Sequence, residues 1–189
     1  MKILFVSSEV YPLVKTGGLA DVAGALPVAL SSTCDVKVML PAYEGMLGMF
    51  EKWIHGPILG NPFGYGEMRL LFGRLEGLDV DFWLVDCPSL FHRQGGPYLN
   101  DDGQDHADNH RRFAALSWAG AVVTQYGHLM NWRPDIVHAH DWQTGLLSAY
   151  LKAWAQRHPP LVYTIHNMQF TGAYSRQQYL ETGLPESLF

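Results

Sequence analysis

Cysteine is scarce: Cys34 and Cys87 are the only two in the chain. Two cysteines do not build a disulfide framework at this size. Both read as small core hydrophobes in a reducing compartment. Long apolar runs are missing as well. No stretch approaches the ~18 consecutive apolar residues of a membrane span. The opening MKILFVSSEVYP has too short an apolar run for a secretory signal. Positive charge is in deficit, with 13 Lys and Arg against 18 Asp and Glu, a net −5. A mildly acidic chain carries no field that would hold a phosphate polymer. Neither nucleic acid nor membrane is therefore expected as a partner, and a cytoplasmic location is the default. A local basic site for a small anion stays open.

What the chain has is apolar and well distributed. Hydrophobic residues are 48% and charged residues 16%, which excludes a disordered tail, a coiled coil and a collagen-like chain. At 189 residues one domain is expected by the ~100–200-residue prior, burying roughly 70% of its unfolded surface. Residues 3–7 predict a strand buried on both faces, as in parallel sheets. Residues 9–18, with Pro12 and the Gly17-Gly18 pair, predict a loop. Leu19, Val22, Ala23, Leu26 and Leu30 fall at helical spacing, with Pro27 placed to kink or shorten that helix. Further strands are predicted at 36–40, 69–75, 80–85, 136–140 and 161–166, the pair 69–75 and 80–85 forming a hairpin. Helices are predicted over 105–130 and 142–156, with a partial pattern at 175–182. The Gly- and Pro-rich stretch 56–66 reads as a loop. This order predicts an α/β fold, a doubly wound, mostly parallel sheet with helices on both faces. Such sheets usually carry further strands, so the chain reads as C-terminally incomplete, a piece of something larger.

In an open parallel sheet, ligands bind beyond the carboxyl ends of the strands, where the strand order reverses. Three polar segments fall there: Glu9 to Asp21, His138 to Trp142, and His166-Asn167. They converge if their strands are neighbours. In Lys15-Thr16-Gly17-Gly18-Leu19-Ala20-Asp21 two glycines precede a helix. That lets the backbone approach a ligand, and a helix N-terminus favours an anion. Lys15 supplies a point charge suited to phosphate, and Asp21 in the first turn complements the helix dipole. The plain alternative is a loop and a capped helix. The spacing is neither a P-loop nor the GxGxxG fingerprint.

His138, His140 and Asp141 read either as metal ligands, with His166 as a third imidazole, or as buried polar tips hydrogen-bonded at strand ends. Tyr98 reads either as a stacking platform for a sugar or base or as a packed loop aromatic. Asp101, Asp102, Asp105 and Asp108 lack the EF-hand pattern and read as a solvated loop. His55, His92 and His158 read as surface or loop residues, and Trp83, Trp118 and Trp154 as core.

The segment ILFVSSEVYPLVKTGGLADVAGALP resembles bacterial glycogen synthases and plant starch synthases, of glycosyltransferase family 5. DIVHAHDWQTGL, YTIHNMQFTGAY and RQGGPYLNDDGQDHADNHRRFA resemble further segments of the same enzymes. The resemblance implies one of the two Rossmann-like domains of a GT-B enzyme, with residues 1–189 as part of its N-terminal half. It implies glucose transfer from ADP-glucose to the non-reducing end of an α-1,4-glucan, with retention and without a metal or other cofactor. ADP-glucose, a glucan such as glycogen or a maltooligosaccharide, and the C-terminal domain of the same enzyme are the implied partners. Position by position, it implies Lys15 and the Gly18 backbone at the donor phosphates and Asp21 holding their loop. It implies Glu9 and Tyr98 at the sugar and acceptor region. Asp141 would lie near the reacting centre, and His166 on the donor glucose with Asn167 beside it. One departure is Gln143-Thr144, where many relatives have His-Ala, which bears on donor choice between ADP-glucose and UDP-glucose. With half the enzyme absent, the chain alone is expected to be inactive. A non-catalytic glucan-binding module and a metal-dependent hydrolase are the rival expectations.

Overall fold

The computed structural model describes residues 1–154 and 157–189. Seven strands form one sheet: β1 (Lys2–Val6), β2 (Asp35–Pro41), β3 (Lys52–Gly60), β4 (Met68–Arg74), β5 (Asp81–Asp86), β6 (Ile136–His140) and β7 (Leu161–Thr164). Among the described residues, five α-helices accompany them: α1 (Gly18–Ser31), α2 (Pro88–Phe91), α3 (Asn109–Tyr126), α4 (Leu146–Ala153) and α5 (Arg176–Leu180). The strand order is β3-β4-β5-β2-β1-β6-β7. The five strands from β5 to β7 pair in parallel, while β3 and β4 are antiparallel additions. The predicted hairpin is β4–β5, in register from Arg69 opposite Asp86 to Arg74 opposite Asp81.

β1 shows why helices lie on both faces. Successive side chains of a strand point to opposite sides. Leu4 and Val6 join the core beneath α3 and α4, and Ile3 and Phe5 join the core beneath α1. All four are buried. α3 carries buried residues nearly all round, from His110 and Phe113 to Val123 and Thr124, as a helix wedged between a sheet and neighbours must be. Gly120 lets α4 come close: a Cβ there would meet Leu147 Cδ1 at 2.6 Å.

The loop expected at 56–66 is wrong over its first half. Residues 52–60 form β3, an edge strand whose pairing with β4 slips twice between His55 and Gly60. Proline is tolerated at an edge or bulge, so Pro57 does not end the strand. Gly56 fits under Phe72, where a Cβ would stand 2.8 Å from the ring. Pro27 does not shorten α1, which runs four residues past it to Ser31 with the proline ring buried. The helix predicted from 105 starts at Asn109, because 96–106 is a folded loop, and it ends in a 3-10 turn over Gly127–Met130. The helix predicted over 142–156 divides into a 3-10 turn, Trp142–Thr144, and α4; its last two residues, 155 and 156, lie outside the described residues. β7 stops two residues early.

Cys87 is buried and Cys34 half-buried, both as free thiols. Trp83 is in the core, and Trp118 and Trp154 pack partly buried against it. His55, His92 and His158 are exposed. Among the described residues, no helix is long and apolar enough to cross a membrane.

Candidate functional site

The strand order reverses at β1. The chain leaves it by α1 to β2 on one side, and β6 and β7 lie on the other. The three polar segments therefore meet at the carboxyl ends of β1, β6 and β7. They line a cleft of about 860 Å³ whose wall includes Glu9, Gly17, Gly18, Tyr98, Asp141, His166 and Asn167.

Glu9, only 3% exposed, follows β1 and is wholly occupied. One carboxylate oxygen accepts from the backbone N–H groups of Thr16 and, at 3.3 Å, Gly17. The other accepts from the Thr16 hydroxyl at 2.7 Å and the Tyr98 hydroxyl at 2.5 Å. The proton of Tyr98 is thus committed to Glu9, so Ser8 Oγ, 2.8 Å away, donates to the phenol oxygen. Burial and the neighbouring Tyr43 and Glu9 push the Tyr98 phenol well up. Glu9 and Tyr98 reach the cleft wall, yet their polar atoms clamp the glycine loop.

That clamp sets the start of α1. Gly17 is its N-cap, with extended backbone and no capping side chain. A helix start leaves N–H groups without intrahelical partners, and here they open at Gly18 and Leu19 in the cleft wall. Lys15 and Asp21 stand beside the cleft, paired to each other at 2.6 Å and both about half exposed. The lysine charge is within the neighbourhood of the helix start but is spent on Asp21.

Tyr98 is itself held from behind. Arg112, fully buried on α3, donates to the carbonyls of Leu90 and Pro97 and to the Asn109 side chain at 2.7–2.8 Å. The Asn109 amide and the His106 backbone N–H donate to the Tyr98 carbonyl. Burial pushes the Arg112 guanidinium down. Sequence reasoning missed Arg112, Asn109, Thr16 and Ser8. A signal for Arg112 existed: it precedes Leu116 by four residues, which puts a charge on the buried face of α3.

At the other wall, Asp141 takes φ 55° and ψ 179°, a backbone region costly for any residue but glycine. The distortion lets its carboxylate accept from the His166 backbone N–H at 2.7 Å while its own N–H donates to the Thr164 carbonyl. This bond takes His166 off the ladder and explains the early end of β7. His138 and His140 share one face of β6, as their spacing predicts. His140 lies on the Phe5 ring at 4.1 Å and beside His138 at 4.0 Å. Burial, then the other two imidazoles, push the His140 ring down to about 2, and burial lowers His138 also. His138 Nε2 sits 2.8 Å from Thr164 Oγ1, and His140 Nδ1 sits 2.9 Å from His166 Nε2. Among the described residues, no group of three metal-binding side chains could hold an ion. Asn167 lines the cleft but turns its side-chain oxygen to the Gln169 N–H at 2.9 Å.

A further stretch completes the cleft. Gly172, at φ 61°, lies against the face of Trp142, where a Cβ would come within 2.4 Å of the ring. It brings Phe170 and Tyr174 into the wall of the same cleft as Tyr98.

The profile of the starch synthase catalytic domain matches residues 2–189. A glycogen synthase of Marinomonas sp. (strain MWYL1) is 51% identical over 95% of this chain and 38% of its own length. One from Rhodospirillum rubrum is 50% identical over the whole of this chain and 39% of its own. The chain thus spans under two fifths of these relatives. Among solved structures, the catalytic domain of Starch Synthase IV from Arabidopsis thaliana, bound to ADP and acarbose, superposes with a TM-score of 0.77. It is 26% identical, and the match covers 99% of this chain and 38% of that one. With the profile matched nearly end to end and the sheet and cleft arranged as described, the chain belongs to the starch synthase catalytic-domain family.

Proposed function

We propose that this chain is part of a retaining glucosyltransferase that moves glucose from ADP-glucose to the non-reducing end of an α-1,4-glucan. The observation that carries the reading is the meeting, in one cleft, of an uncapped glycine-loop helix start with the Asp141–His166 corner. A helix start is suited to a diphosphate. The imidazole and carboxylate corner is suited to a hexose bearing developing positive charge. The ADP and acarbose held by the starch synthase relative support this pairing.

Breaking the bond between glucose and diphosphate places negative charge on the leaving group. The N–H groups at the start of α1 face that charge with fixed dipoles, and Lys15 adds a full charge. Lys15 must first leave Asp21. Exposed ion pairs of this kind are worth only ~0–1 kcal/mol, so the exchange is cheap. Glu9 and Tyr98 hold the loop still, which fixes the N–H directions in advance. Asp141 fixes the His166 backbone, and with it the ring, at the sugar side; Asn167 stands beside it. The chemistry asks for no metal or other cofactor.

The glucan, the nucleotide sugar and the remaining domain of the same enzyme are the partners of this reading. The isolated chain is inactive in it, because one wall alone cannot enclose the reaction. Calorimetric titration of the chain with a maltooligosaccharide and, separately, with ADP-glucose tests the division of labour. Glucan binding with weak or absent nucleotide binding is the expected result. Tight binding of ADP-glucose alone, or detectable glucosyl transfer by the chain, would overturn it.

A further inference from the structure

Of the three imidazoles at the carboxyl ends of β6 and β7, His140 and His166 are joined by a hydrogen bond between ring nitrogens, and His138 bonds Thr164 instead. His140 and His166 have ring planes within 22° of each other and centroids 5.3 Å apart. With His140 Nδ1 and His166 Nε2 2.9 Å apart, that is two nearly coplanar rings joined edge to edge. A hydrogen bond between two ring nitrogens holds one proton. One ring donates and the other accepts.

Which ring donates follows from the far side of His140. Its side chain is fully buried, packed against both Phe5 and His138. Its Nε2 has no hydrogen-bond partner among the described residues. If His166 donated, neutral His140 would carry its proton on Nε2, as a buried N–H with no acceptor. Orphaned buried N–H groups are rarer in folded proteins than under-used acceptors. If His140 donates from Nδ1, its Nε2 is a bare acceptor and no donor is stranded. His166 then receives at Nε2, and its own proton must sit on Nδ1. His138 is already engaged with Thr164.

We propose that His140 is a positioning residue that sets the tautomer of His166, so that His166 presents an Nδ1–H donor to the cleft. A ring whose tautomer averaged would offer a ligand a donor part of the time and an acceptor the rest. A fixed Nδ1–H always meets a ligand oxygen as a donor. On the reading given above, that oxygen is a glucose hydroxyl. The tautomer itself does not depend on that reading.

The test is the pair of ring-nitrogen signals of His166 in the ¹⁵N-histidine-labelled 189-residue chain. They are read at about pH 8, above the ordinary histidine range near 6.5. The expected spectrum has a protonated Nδ1 and a bare Nε2 at His166, the tautomer less favoured in free histidine, with the same pattern at His140. In His140→Phe, which keeps the ring stack on Phe5 and loses the donor, the His166 signals should move to the Nε2–H pattern or to the average of the two. A protonated Nε2 at His166 in the unaltered chain overturns the proposal, whether or not the variant folds. An unchanged His166 pattern in a folded His140→Phe chain overturns it too. Maltooligosaccharide and ADP-glucose titrations of the same sample separate the two ideas. Failure to bind either counts against the glucosyltransferase reading and leaves the tautomer result standing.

Discussion

Lowering the pH from about 7 to about 5 should remove roughly 2 kcal/mol of stability through His140 alone. The ring is fully buried, and its folded-state value is pushed down to about 2, chiefly by burial. In the unfolded chain it titrates near 6.5. A depressed folded value means that the stabilisation is present above the unfolded value and is lost as pH falls. Below about pH 6.5 the unfolded chain binds a proton that the native chain refuses. At 1.36 kcal/mol per unit, the loss accumulates to ~2 kcal/mol by about pH 5. His138, lowered in the same direction, adds to it. The carboxylates held down by ion pairs, Asp35 and Asp81 with Lys37 and Asp81 with Arg74, lose their contribution only as pH falls through and below ~4. The two windows therefore separate. Urea midpoints followed by tryptophan fluorescence should fall by about 1 M between the two pH values, for a slope of ~1–3 kcal/mol per molar. His140→Phe, if it folds, should flatten the dependence. Equal midpoints at the two pH values, or a variant as acid-sensitive as the parent, would refute the reasoning.

Tyr98→Phe should cost ~2 kcal/mol, since it removes a hydrogen bond to a buried carboxylate. Paired with Glu9→Gln in a denaturation cycle it should show coupling of at least ~0.5 kcal/mol, and additive effects would deny the clamp. Lys15→Ala should leave stability within ~0.5 kcal/mol, because its ion pair is exposed. On the proposed glucosyltransferase reading, the same change should weaken ADP binding by the complete enzyme, as isothermal titration can measure; unchanged affinity would take Lys15 out of the proposed donor site. Asp141→Gly should be closer to neutral in thermal melts than Asp141→Ala, because glycine relieves a positive φ worth ~1–3 kcal/mol. Gly172→Ala should displace the Trp142 ring, visible as a changed near-ultraviolet circular dichroism band, with loss of maltooligosaccharide binding.

Short patterns carried the fold. The wholly apolar run of β1 and the strand–helix alternation around it announced a parallel sheet buried on both faces. Once β1, β6 and β7 were neighbours, the convergence of Glu9, Asp141 and His166 followed from topology. The errors have local causes. β3 was hidden because Gly56, Pro57 and Gly60 are loop residues by propensity, and only an irregular edge pairing with β4 makes them strand. β7 is shorter than its sequence pattern suggests because nothing in Ile165-His166 says that a carboxylate 25 residues earlier will take the His166 N–H out of the ladder.

The same limit governs the site. Spacing can place Lys15 before a helix start, but it cannot say that Asp21 pairs with the lysine, or that Glu9 takes four hydrogen bonds from the loop and Tyr98. Those are competitions between partners within hydrogen-bonding reach, and they are decided by packing. Glu9 is the clearest instance. A buried carboxylate beside a helix start would repel a diphosphate if its charge were free. Here four donors surround that charge, and two of them are backbone N–H groups just before α1. The carboxylate spends its charge on ordering the loop, and the N–H groups left over, from Gly18 onward, are the ones with room for a phosphate. An acidic residue beside the proposed diphosphate site is thus consistent with the physics once its hydrogen bonds are counted.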